Sequence, residues 1–150
     1  MKITQGTFSF LPDLTDEQIE AQIKYSLTNN WAISIEHCAP YEIHPRHAYW
    51  ELWGLPLFDT KPEDSENVMR EVRAAREAFP DNYIKVIAYD PRRGRQTTAL
   101  AFFVNRPAVE RPFFVDRIQG PGRTNSFRYV VDDRAAVTNG TAPSSNGATN

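Results

Sequence analysis

The sequence predicts an α+β domain in which a four-stranded antiparallel sheet carries two helices on one face and is followed by a C-terminal β-hairpin extension. Two segments repeat apolar residues at helical spacing, and four others have the apolar runs or the period of two that strands show. Their order is helix, strand, strand, helix, strand, strand. Sequential strands can then pair antiparallel, with both helices packed on the same side.

The two helices have recognisable starts. Thr15 and Gln18 have the spacing of a capping box, so the first helix is expected to begin there and to end near residues 29–30. The second is expected to begin around residues 62–64, where Thr60 and Glu63 offer another capping box, and to end at Pro80. The buried faces are expected to consist of Ile19, Ile23, Ser26 and Leu27 in the first helix and Val68, Val72, Ala75 and Phe79 in the second.

Strands are predicted at residues 31–36, 49–53, 83–89 and 97–104, with a polar loop at 37–47. Apolar runs at 113–118 and 127–131 flank a turn with two glycines and a proline, which predicts the terminal hairpin. The chain therefore divides into an N-terminal arm (1–14), a core (15–107), the hairpin extension (108–133) and a tail (134–150). The tail is rich in small polar residues and is expected to be disordered.

The sheet face that points away from the helices is also expected to be apolar. The alternation gives two apolar faces: one consists of Ile84, Val86, Ala88, Leu100, Phe102 and Val104, and the other consists of Tyr83, Ile87, Tyr89, Ala99, Ala101 and Phe103. Because an uncovered apolar face marks an interface, this pattern favours obligate assembly with a partner. The alternative is that the terminal hairpin folds back and covers this face within one chain.

The composition excludes several classes of protein. A net charge of −2 over 150 residues gives no basic surface for nucleic acid. No apolar run approaches the ~20 residues that cross a bilayer, and the first residues do not resemble a signal peptide. The single cysteine, Cys38, cannot form an internal disulfide and fits a reducing compartment.

One cluster has donors that suit a transition metal: His37, Cys38, His44 and His47. Their spacing matches no common zinc framework, and adjacent residues such as His37 and Cys38 rarely turn toward one ion. Solvated or interface histidines are the favoured interpretation. The chain also has no glycine-rich phosphate loop, and the arginines at 92, 93 and 95 are typical of a solvated turn. No catalytic, cofactor-binding or metal-binding residue is predicted, which favours a structural or regulatory subunit.

Several stretches resemble, in the same order, the small subunits of ribulose-1,5-bisphosphate carboxylase/oxygenase. Residues 49–58, YWELWGLPLF, are similar to the most recognisable stretch of that family, with an aromatic pair followed by Leu-Pro and Phe. Residues 7–15, 79–80, 83–86 and 102–107 resemble other family segments, so the likeness spans roughly residues 3–131. The terminal hairpin resembles the extension of the red-type branch.

The resemblance implies a non-catalytic subunit that assembles with catalytic large subunits into a hexadecamer of eight large and eight small chains. Such a subunit joins large-subunit dimers and modulates carbon dioxide fixation, while magnesium and a carbamylated lysine belong to the large subunit. No membrane or nucleic-acid partner is implied. The expected location is a bacterial cytoplasm or a plastid stroma.

The resemblance also nominates contact residues. Large-subunit contact and local packing are assigned to Phe8, Leu11, Tyr49, Trp50, Leu55, Pro56 and Phe58. Contacts among small subunits are assigned to Phe113, Phe114, Val115, Phe127, Tyr129 and Val131. The competing hypothesis is a stand-alone small-ligand or metal-binding domain that uses the 37–47 loop. A microcompartment adaptor would need repeated modules, and the sequence has one.

Overall fold

The computed structural model describes residues 13–40, 43–44, 47–94, 97–110, 113–131 and 137–138. For residues 43–44, 47–48, 93, 113–116, 127–131 and 137–138 it describes the backbone. Phe8, Leu11 and residues 139–150 of the predicted tail lie outside the described residues. Neither of the two α-helices found in the described part of the chain has the length and apolar character needed to cross a membrane.

Helix α1 (Asp16–Thr28) begins as the sequence predicts. The Gln18 backbone N–H donates to the Thr15 hydroxyl at 3.3 Å, and the Thr15 N–H donates to the Gln18 side chain at 2.9 Å, so the capping box is formed. Its four predicted apolar-face residues, Ile19, Ile23, Ser26 and Leu27, are all buried. The local sequence is therefore sufficient to place this helix.

Helix α2 (Ser65–Ala78) starts later than predicted. Pro62 opens a short 3₁₀ turn, Pro62–Asp64, and Lys61 rather than Thr60 occupies its cap position. The predicted capping box of Thr60 and Glu63 is therefore wrong. Of the predicted stripe, Val68, Val72 and Ala75 are buried, and Phe79 packs against the core as a half-buried side chain.

The main sheet is antiparallel and has four strands, β1 (Ala32–Cys38), β4 (Glu51–Leu52), β5 (Tyr83–Asp90) and β6 (Thr97–Asn105). Their order in the sheet is β4-β1-β5-β6. Short strands β2 (Ile43–His44) and β3 (His47–Ala48) pair with each other inside the predicted polar loop. Both helices pack on one face, over a core that includes Ile33, Ile35, Ile84, Val86 and Phe102. The predicted fold class is thus confirmed.

The C-terminal extension contains the predicted hairpin. Strands β8 (Phe113–Gln119) and β9 (Asn125–Val131) pair antiparallel, with Phe113 opposite Val131 and Val115 opposite Tyr129. Strand β7 (Val109–Glu110) pairs with β10 (Val137–Thr138), so strand pairing reaches into the segment 134–150 that the sequence predicts to be disordered. That pairing depends on residues distant in the chain, which composition alone does not reveal.

The second face of the sheet differs from expectation, because it is buried within the single chain. Tyr83, Ile87, Ala101 and Phe103 are all less than a tenth exposed. Part of the cover comes from the side chains of Trp50 and Arg106, which lie over this face. The prediction of an uncovered apolar face is therefore wrong, because Trp50, which is distant in sequence from β5 and β6, and Arg106, which follows β6 directly, both fold over it.

Candidate interaction surface

Residues 49–58 run along the edge of the sheet beside β1. Glu51 and Leu52 pair with His37 and Glu36, and beyond them the backbone attachment continues at intervals. The Trp53 N–H donates to the Ile35 carbonyl at 2.8 Å, and the Leu57 N–H donates to the Ile33 carbonyl at 2.7 Å. Of the predicted second strand, 49–53, residues 51–52 are regular, and attachment to β1 continues at Trp53 and Leu57.

A bulge at Gly54, Leu55 and Pro56 explains why the strand breaks. Gly54 has φ +65°, a left-handed backbone conformation that glycine adopts readily and that is strained in residues with a Cβ atom. Trp53 and Leu57 on either side pack against the helical core. The Trp53 indole N–H donates to Glu71 of α2 at 3.2 Å. Trp53 and Leu57, on either side of the bulge, therefore face the core, while Leu55 in the bulge faces solvent.

Four large apolar side chains of this segment face outward: Tyr49 is 68% exposed, Leu52 53%, Leu55 86% and Phe58 66%. We call these four residues the edge patch. Exposed apolar groups clustered in one short segment mark an interaction site, whereas single ones are ordinary on a protein surface. Leu52 was not nominated from the sequence, although its alternation with the inward Trp53 is a signal that could have found it.

Trp50 mainly serves packing inside the chain. Its ring lies 6.0 Å from that of Phe103, and the Lys85 ammonium sits 3.8 Å from the ring centroid. The indole N–H is buried and has no hydrogen-bond partner among the described residues. Pro56 is half-buried in the bulge. Of the five nominated residues in this segment, Tyr49, Leu55 and Phe58 are thus exposed, and Trp50 and Pro56 support them.

A buried ion pair lies directly beneath the Trp50 ring. Lys85 Nζ and Glu36 Oε2 are 3.0 Å apart, and both side chains are largely buried. The Tyr89 hydroxyl donates to the other Glu36 oxygen at 3.5 Å. Burial, reinforced by the Glu36 carboxylate, raises the pKa of Tyr89, so it remains a donor. These charges compensate each other, which is typical of a structural contact.

The metal hypothesis fails on geometry at His37 and Cys38. The His37 ring stacks on Phe79 at 4.0 Å, on the helical side of the sheet. Cys38 lies opposite Tyr83 on the other face, because neighbouring strand residues alternate. His44 and His47 face each other across the β2-β3 pair, where the structure describes their backbone. Across the described ranges, no three His, Cys, Asp or Glu side chains form a group suited to a metal ion.

Comparison with known proteins decides the family. A model of the family described as "Ribulose bisphosphate carboxylase, small chain" matches residues 5–107. The ribulose bisphosphate carboxylase small subunit of Xanthobacter flavus is 51% identical over 135 residues, which cover 90% of this chain and 97% of that protein. The chain belongs to the ribulose bisphosphate carboxylase small-chain family.

The small-chain relatives include red-algal proteins. That of Cyanidioschyzon merolae is 49% identical over 128 residues, which cover 85% of this chain and 90% of its own. A chain of the solved structure titled "Rubisco from Galdieria partita" is 49% identical, with a TM-score of 0.70 and coverage of 87% of this small chain and 91% of that chain. The predicted family and its red-type branch are confirmed.

Proposed function

We propose that this small chain is a non-catalytic subunit of ribulose bisphosphate carboxylase, which packs against the catalytic large subunits, stabilises their assembly and modulates carbon dioxide fixation. The observation that carries the proposal is the edge patch. It lies within residues 49–58, the stretch that carries the most recognisable family resemblance, and it exposes apolar side chains on and around a bulge whose flanking residues are held to β1. Burial of such an apolar surface against a partner lowers the free energy of the system, so association is favoured.

In this proposal the large-subunit contact is made by the outward residues Tyr49, Leu55 and Phe58, with Trp50 and Pro56 beneath them. Phe8 and Leu11 of the arm extend that contact. Contacts among small subunits involve the hairpin residues Phe113, Phe114, Val115, Phe127, Tyr129 and Val131. The assembly is a hexadecamer of eight large and eight small subunits, in a bacterial cytoplasm or a plastid stroma.

The proposal assigns the chemistry to the large subunit, including its magnesium and carbamylated lysine. What supports this division is the use of the charged groups near the edge patch. Glu36, Lys85 and Tyr89 bind one another, and His37 is stacked on Phe79. These contacts give the charged groups a structural role, in which they support the edge patch.

The test is co-expression of this chain with a red-type large subunit, followed by native mass and carboxylation assays on the same fractions. We expect a hexadecamer that contains both chains, and less assembled, active enzyme when this chain is omitted. A chain that elutes alone, with large-subunit assembly and activity indifferent to it, would overturn the proposal.

A further inference from the structure

Arg106 lies at a junction that the proposed function does not explain. Its side chain is 4% exposed and is located just after β6, where the core ends and the extension begins. The guanidinium carbon lies 4.4 Å from the ring centroid of Phe103, on the second face of the sheet. A buried arginine needs compensating charge, because an unpaired buried ion is strongly unfavourable.

Two carboxylates provide that charge, Asp13 just before the first helix and Glu110 four residues after Arg106. Arg106 Nε lies 3.2 Å from Asp13 Oδ1, directly before α1, and Arg106 Nη1 lies 3.6 Å from Glu110 Oε1. The Nε–H is not aligned with the Asp13 oxygen, so that contact is an ion pair without a well-formed hydrogen bond. One side chain therefore holds the base of the arm and the base of the extension.

The Glu110 end of this junction is the more firmly fixed. Glu110 is buried, it pairs through its backbone with Val137, and its carboxylate accepts a hydrogen bond from the buried Tyr83 hydroxyl. Asp13 is 60% exposed and borders a cavity of about 320 Å³ that Arg106 also lines. The Asp13 contact can therefore open without unpacking the core, whereas the Glu110 contact cannot.

We propose that Arg106 is a positioning residue that anchors both terminal segments to the sheet, so that arm and extension leave the core in a fixed mutual direction. The proposed function gives this its purpose, because both segments are assigned contacts with other subunits there. The two contacts differ in their exposure to solvent. The Asp13 carboxylate is more than half exposed, so its pair with Arg106 is screened by salt, whereas the buried Glu110 pair is screened much less.

Limited chymotrypsin digestion of the full chain tests the anchor. Aromatic and leucine sites occur in residues 8–14 and 113–131, and the exposed Phe58 provides an internal reference. For Arg106→Met we expect cleavage to rise about threefold in the N-terminal segment and about tenfold in the extension, at an unchanged reference rate. Asp13→Asn should affect only the first segment and Glu110→Gln only the second.

Two further comparisons separate anchoring from general destabilisation. Because Arg106→Met leaves the buried Glu110 carboxylate without its cation, the double variant Arg106→Met/Glu110→Gln removes that charge and should still loosen both segments. About 0.5 M salt should reproduce the effect of Asp13→Asn in the wild-type chain and leave the extension protected. Arg106→Lys, which keeps the charge without the planar fork, should give intermediate rates.

Equal acceleration at all sites, including the reference, or loosening of one segment alone in Arg106→Met, overturns the anchor. The same variants are then co-expressed with the large subunit, and native mass reports their incorporation. If the wild-type chain does not assemble, the proposed function fails, while the digestion result still decides the role of Arg106.

Discussion

Truncation of Leu55 tests the edge patch most directly. Leu55→Ala removes three side-chain carbons from a residue that is 86% exposed in the free chain. If the partner covers these three carbons, each contributes about 0.8 kcal/mol to binding, and their sum is an upper limit. Partial covering reduces the expected loss of binding free energy to about 2 kcal/mol, which is roughly a 30-fold increase in the dissociation constant. The free energy of unfolding of the isolated chain should change by less than about 0.5 kcal/mol, since few atoms lose contacts.

The matched control is Tyr25→Ala, on the exposed side of α1. Tyr25 is 56% exposed, and its ring makes an edge contact with Trp31 at 5.6 Å. Its loss should cost about 0.5–1.5 kcal/mol of stability and leave assembly unchanged, the opposite pattern to Leu55→Ala. Denaturant unfolding of each variant and titration of the large subunit by native mass measure the two quantities. Unaltered affinity in Leu55→Ala would refute the assignment of the edge patch to the interface.

Three other predictions concern groups packed on the second face of the sheet. Trp50→Ala should lower the free energy of unfolding by about 3 kcal/mol, because the ring loses Phe103 and the Lys85 cation, and Trp50→Phe should retain more than half; a change below about 1 kcal/mol in denaturant unfolding would contradict this packing role. Glu36→Leu should cost about 3–5 kcal/mol by stranding Lys85, and the pair Glu36→Leu/Lys85→Met should recover most of it; a pair no more stable than the single variant would show that the charges do not compensate each other. Burial, followed by Glu110, raises the pKa of Tyr83, so the folded chain keeps the phenol proton above pH ~10 where the unfolded chain releases it. Stability should therefore be complete below pH ~10 and fall above it by up to about 1.4 kcal/mol per pH unit. The slope should be shallower in Tyr83→Phe, and equal slopes in urea titrations would argue against this assignment.

The elements set by local signals could be predicted from the sequence. The cap of α1 and its buried face follow from residues within one or two helical turns of each other. The hairpin of β8 and β9 follows from two apolar runs around a turn. The second strand was predicted over residues 49–53 but is regular only at Glu51–Leu52, because beyond them the chain bulges at Gly54 and stays attached to β1 through Trp53 and Leu57.

The candidate site was predicted in part. The apolar character of residues 49–58 was visible, but which side chains face outward depends on the bulge. The cover of the second sheet face also depends on a contact between residues distant in the chain, because the Trp50 ring lies over Lys85. A lysine in the middle of an apolar strand was a signal that a carboxylate lies nearby, but identifying Glu36 required the register between β1 and β5.

The bulge at Gly54 also bears on what happens to a newly made chain before it meets a partner. An edge strand that displays apolar side chains along a straight backbone is a template on which another copy can extend the sheet, the first step toward fibrils. Here the outer edge is regular for two residues and then turns away at Gly54 and Pro56. The edge patch can therefore pack against a complementary surface of a partner, while its short regular edge offers little straight backbone on which a second copy could extend the sheet.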